Sequence, residues 1–217
     1  MIIDMKTGKI TKSLIVVSLI AIIFNLARLD LLGTTNLSYL IWNLFLAWIP
    51  YIVSSYFIKK DTSINSFIPL FIFWLLFFPN APYLVTDIIH IISSSPSLIW
   101  YDSLLFFFFG WIGLLLGMLS LFHIHQYLKS HLSNLISEFV VFIICFVASF
   151  GVYLGRFERW NSWDIFINPI HLIRDSFYIS TGLADTENPL LFVVVFAVFM
   201  YSVYKIIYVL VIEKSSK

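Results

Sequence analysis

Six long apolar stretches, separated by short polar runs, leave this chain few ways to fold. They cover roughly residues 12–30, 38–57, 65–79, 99–121, 134–154 and 190–212. A helix of about 20 apolar residues crosses the hydrocarbon core of a bilayer. Inside that core a segment must satisfy its own backbone polar groups, which a helix does. The pattern therefore predicts an all-α integral membrane bundle of about six transmembrane helices. The third stretch is the shortest and stops at Pro79. Charge agrees with this reading, because only 12% of the 217 residues are charged and the mean hydropathy is +0.95. A soluble domain carries about 25% charge, and with half of that it could not cover its surface. Even the longest connection, Gly155–Pro189, is too short for a soluble domain, so residues 1–217 read as a single polytopic membrane domain.

Lysine and arginine set the expected orientation through the positive-inside rule. With a cytoplasmic N-terminus, Lys6, Lys9, Lys12, Lys59, Lys60, Lys129, Lys205, Lys214 and Lys217 fall inside, and Arg28, Arg156, Arg159 and Arg174 outside. That is nine against four, with every lysine inside, so both termini are expected in the cytoplasm. The first stretch follows Lys6, Lys9 and Lys12, as in a signal peptide. It runs into Arg28-Leu-Asp30 without a small-residue cleavage site, so it reads as an uncleaved first span. Cys145 is the only cysteine and lies in an apolar run, which fits a small buried residue better than a nucleophile. A net charge of +1 with no basic tract speaks against nucleic-acid partners.

Two polar clusters interrupt the hydrocarbon, both on the expected outer side. The first is Asn80-Ala-Pro-Tyr83-Leu-Val-Thr-Asp87-Ile-Ile-His90, and the second is Gly155-Arg156-Phe-Glu-Arg159-Trp-Asn161-Ser-Trp-Asp164. Ionisable groups beside apolar spans are costly, which makes such clusters functional-site hypotheses. If Tyr83–Ile92 is helical, with Asn80 or a neighbour as its cap, then Tyr83, Asp87 and His90 share one face. Asp87 and His90 are the pair suited to acid–base work, since a carboxylate can orient an imidazole for proton transfer. The same two, with His171, are the weak candidates for a divalent metal; a further ligand would come from Asp102 or Asp164. No other cofactor is indicated.

Arg156 and Arg159 would share a face on a helix and would suit an anionic head group at the membrane surface. Asn80, Tyr83, Asp102, Asn161, Asp164 and Asn168 complete the expected binding set. Because an unpaired arginine near hydrocarbon is expensive, at least one of Asp87 or Asp102 should meet Arg156 or Arg159. Residues 161–176 mix aromatic, aliphatic and polar side chains, the pattern of a short interfacial or re-entrant segment. His123, His125 and His131 read as an exposed inner loop. The competing account of every outer charge is structural: Arg–Asp pairs that close helix ends.

The chain resembles a family of small bacterial multi-pass membrane proteins known as domain of unknown function 1361. The likeness lies in Trp42-Asn43 through Pro50, Phe78-Pro-Asn-Ala-Pro-Tyr83 through His90, Trp100-Tyr-Asp102, and Gly155-Arg156 through Asp164 with Asn168-Pro169. It implies a bacterial plasma (inner) membrane and assigns no chemistry. Three functions follow from the residues: an accessory or structural membrane protein with a polar site on its extracytoplasmic side, a membrane-embedded enzyme acting on lipid or lipid-linked substrate, and a small-solute transporter. Membrane lipids are the expected partners.

Overall fold

The computed structural model describes residues 7–32, 37–59, 64–94, 96–180 and 188–215. Among these residues there is no strand. The helices are α1 (Thr7–Leu32), α2 (Ser38–Lys59), α3 (Ile64–Phe77), α4 (Asn80–Thr86), α5 (Ile99–His131), α6 (Asn134–Phe157), α7 (Asp164–Ile167), α8 (Pro169–Ser180) and α9 (Pro189–Ser215). A 3₁₀ turn, Asp87–Ser93, follows α4. Six stretches are long and apolar enough to cross a membrane: Gly8–Arg28, Ser38–Tyr56, Asn65–Ile92, Ile99–His131, Asn134–Phe157 and Pro189–Ile212.

The long helix α5 is the axis of the bundle. Its most apolar window is 72% buried, against 39% or less for the other five. On one side α1, α2 and α4 pack Leu14, Leu40, Leu44 and Ala81 against Phe106 and Phe109 of α5. On the other side Trp74 and Phe78 meet Val141 and Ala148 of α6 and Met200 and Tyr204 of α9. The aromatic run of α5 divides accordingly: Phe106 and Phe109 are buried, while Phe107 and Trp111 are exposed.

The third crossing differs most from its expected form. Helix α3 has 14 residues, a rise of about 21 Å and less than a bilayer core of about 30 Å. The chain bends at Phe78-Pro79 without leaving helical backbone, since Pro79 has φ −58° and ψ −27°. It then continues as α4 and the 3₁₀ turn, wedged among α2, α5 and α6. Glycines make room for that wedge. A Cβ on Gly113 would stand 2.5 Å from the Ala81 carbonyl oxygen, and one on Gly151 would stand 2.8 Å from Cγ of Pro79. Small residues that let helix backbones approach closely are a common device of membrane helix packing. Asn80 is not a cap here; its Nδ2 donates to the Phe77 carbonyl at 2.9 Å and so closes the end of α3.

The expected histidine loop is a second correction. Residues 123–131 are the last turns of α5, and His123 and His125 are fully buried. Leu121, Phe122, Ile124 and Leu128 extend the apolar pattern around them, and polar partners wait on neighbouring helices. His123 Nδ1 lies 3.1 Å from Ser54 Oγ, and His125 Nδ1 meets the Tyr204 hydroxyl. Nearby, Lys205 Nζ pairs with Glu138 at 3.0 Å, and Tyr201 donates to the same carboxylate at 3.3 Å. Cys145 is buried, as its neighbours imply.

Candidate functional site

The two polar clusters meet through Arg156. Helix α6 carries it one residue before its end, and α4 with the 3₁₀ turn sets Tyr83, Thr86, Asp87 and His90 opposite. Arg156 Nε donates to Thr86 Oγ1 at 2.9 Å, Nη1 to His90 Nε2 at 3.0 Å, and Nη2 to Asp87 Oδ1. A guanidinium has donors only, so His90 Nε2 accepts in this contact. Asn43 Nδ2, from α2, donates to the other Asp87 oxygen at 3.2 Å. The guanidinium also lies over the Tyr83 ring, 4.2 Å from its centroid. Side-chain exposure is 5% for Arg156 and 1% for Asp87. Removing two charges from water to this extent is costly unless hydrogen bonds complete the pair, and Thr86, His90 and Asn43 complete it. The expected contact between the clusters is therefore present.

Asp102 is engaged elsewhere. Arg28 of α1 binds it in bidentate fashion, Nε to Oδ1 and Nη2 to Oδ2 at 2.8 Å. Nearby, Tyr101 donates to the Phe24 carbonyl at 2.8 Å, and Asn25 Nδ2 to the Leu37 carbonyl at 2.9 Å. These contacts lash α1 to α2 and α5. Tyr39, edge-on to His90 with ring centroids 5.6 Å apart, has a buried hydroxyl without a partner among the described residues.

Beside the Arg156 cluster a cavity of about 540 Å³ runs between α2, α3 and α6. Leu46, Ile72, Leu75, Leu76, Val147 and Phe150 form its apolar walls, at helical spacings of three and four. At one end the lining turns polar, with Asn43, Asn80, Tyr83, Asn161 and Ser162, and with Trp42 and Trp160 beside them. Asn80 Nδ2 donates to Ser162 Oγ at 2.9 Å, which ties α4 to the segment before α7. Ile72, Val147 and Phe166 line the cavity and are exposed, so it reaches the surface of the bundle.

The expected site residues thus separate. Asn80, Tyr83 and Asn161 line the cavity, whereas Asp87, His90, Asp102 and Arg156 stand behind its wall or away from it. Asp164 accepts from the Asn161 backbone N–H at 2.7 Å and from Asn161 Nδ2 at 3.2 Å. Arg156 and Arg159 do not share a helix face, because α6 ends at Phe157 and Arg159 takes a positive φ of 58°. Arg159 is exposed, within electrostatic reach of Tyr83, and forms no hydrogen bond or ion pair among the described residues. Asn168 and His171 are exposed. Among the described residues no three His, Cys, Asp or Glu side chains gather as a metal site would need.

Sequence reasoning missed Asn43, Ser162, Trp42 and Trp160 as lining residues. Asn43 carried a usable signal, an amide in the first half of an apolar span. No curated protein and no solved structure matches the chain. The family model described as protein of unknown function (DUF1361) matches residues 42–203, which takes in the Arg156 cluster and every residue of the cavity. With well over half of its length matched, the chain belongs to this DUF1361 family.

Proposed function

We propose that this is a multi-pass protein of the bacterial plasma membrane that holds a membrane lipid or lipid-linked molecule in the groove between α2, α3 and α6. The polar head would lie at the extracytoplasmic end. One observation carries the reading: a cavity within the apolar spans has hydrocarbon walls, one polar end and an opening to the bundle surface. Its volume of about 540 Å³ is in the range of small-molecule sites. Sidedness is supported by lysine, since Lys9, Lys12, Lys129 and Lys205 lie at the opposite end of the spans from Arg28 and Arg156. The buried Arg156–Asp87 pair serves the groove by fixing its rim. Asn43 and Tyr83 line the cavity and both touch the Arg156–Asp87 pair. This reading assigns binding, with no reacting atoms.

Native mass spectrometry of the protein released from mild detergent tests it. The wild type should retain one molecule of lipid mass. Val147→Trp, which puts a large ring into the apolar half of the groove, should lose that adduct while keeping its melting temperature. A wild type without an adduct, or a variant that keeps it, contradicts the proposal.

A further inference from the structure

A lipid gains little from an apolar groove when its surroundings are already hydrocarbon, because lipid tails and leucine side chains are equally apolar. Selection must then come from the polar end, and this inference rests on the groove reading above. We propose that the rim selects a polyhydroxylated, glycosyl-type head group, so that the occupant is a glycolipid or a lipid-linked saccharide.

Three amides at the rim have a fixed orientation. Asn43 donates its NH₂ to the Asp87 carboxylate, Asn80 to the Phe77 carbonyl, and Asn161 to the Asp164 carboxylate. Each partner atom is an acceptor only, so no amide can be flipped without placing two acceptors together. The three side-chain carbonyl oxygens are left with no hydrogen bond among the described residues, and all three residues line the cavity. Donors are present as well. Ser162 accepts from Asn80 and keeps its own O–H, while the indole N–H groups of Trp42 and Trp160 have no partner among the described residues.

That mixed set discriminates between head groups. A phosphate oxygen only accepts and would leave three carbonyls unmet, with the Asp87 and Asp164 carboxylates close behind two of them. An ammonium only donates and would leave the serine and indole donors unmet, and in a phosphatidylethanolamine the phosphate that could accept from them sets its charge against the rim carbonyls. A hydroxyl both donates and accepts, and a ring of hydroxyls presents an apolar face to which Trp42 or Trp160 can pack. No charged residue lines the cavity. Two exposed arginines stand outside it, Arg159 and, on α8 between the lining residues Leu172 and Ser176, Arg174, which pairs with Asp175 at 3.5 Å; either could meet the phosphate of a lipid-linked sugar.

The test is a competition on the full-length wild type in detergent, read by native mass spectrometry. Three lipids with identical dioleoyl chains are supplied at equal concentration: monoglucosyl-diacylglycerol, phosphatidic acid and phosphatidylethanolamine. The glucosyl lipid should be retained about tenfold over either competitor, the effect of two or so well-made hydrogen bonds. Ser162→Ala should cut that preference several-fold. Equal retention of all three lipids, or preference for either competitor, overturns the head-group inference and leaves the groove reading standing. Retention of none overturns both. A preference that survives Ser162→Ala and Asn161→Ala alike also removes the inference, because no rim group would then be responsible.

Discussion

Arg156 joins two parts of the molecule by lying over Tyr83 while it binds Asp87. Its guanidinium carbon is 4.2 Å from the centroid of a ring that lines the cavity. The buried pair and the groove wall therefore share a residue, and loosening one loosens the other.

Arg156→Gln should accordingly destabilise the fold by about 3–5 kcal/mol, the usual cost of leaving a buried partner charge unpaired. Arg28→Gln should cost a similar amount by stranding Asp102. Only the Arg156 variant should also weaken lipid retention, because Arg28 binds Asp102, which does not line the groove. Adding Asp87→Asn to Arg156→Gln should recover part of the loss. Denaturant titration in detergent, paired with lipid retention, checks all of this; two silent single variants would refute the structural role.

Glycine packing gives a second expectation. A methyl on Gly113 would clash with the Ala81 backbone carbonyl, whereas one on Gly8 would meet nothing within 4 Å. Gly113→Ala should cost about 1–3 kcal/mol, the range for overpacking a filled interior, and Gly8→Ala should be neutral or mildly stabilising. Equal melting temperatures for the two variants would contradict the wedged position of α4.

His125 separates a buried helix from an exposed loop. His125→Ala removes a fully buried ring and leaves the Tyr204 hydroxyl unmet. A loss of about 2–4 kcal/mol is expected, and no change would restore the loop.

Orientation is checked by single cysteines in a Cys145→Ala background. Asn168 and Ser133 are both exposed and lie at opposite ends of the bundle. A membrane-impermeant maleimide should label Asn168→Cys in intact cells and Ser133→Cys only after the cytoplasmic side is opened. The reverse pattern would invert the proposed sidedness.

The fold was largely legible because hydrophobic length dictates membrane crossing, and the Arg156–Asp87 contact followed from the cost of a lone charge beside hydrocarbon. Where sequence reasoning fell short, the cause was a tertiary partner that no local pattern reveals. His123 and His125 look like loop residues until Ser54 and Tyr204 arrive from other helices. Asp102 found Arg28 rather than a second-cluster arginine, because α1 lies against α5. Arg159 left the face of Arg156 because α6 ends between them. The groove itself depends on how far α6 stands from α2 and α3, a distance that no spacing along the chain encodes.

The groove should hold a membrane amphiphile. A crystal structure grown from a lipidic mesophase, without added ligand, addresses this directly. Continuous chain-shaped density along Leu46, Leu76 and Val147, ending in a bulkier head against Asn80 and Ser162, is the predicted result. A groove closed by its own side chains, or one holding only separate water peaks, would contradict it.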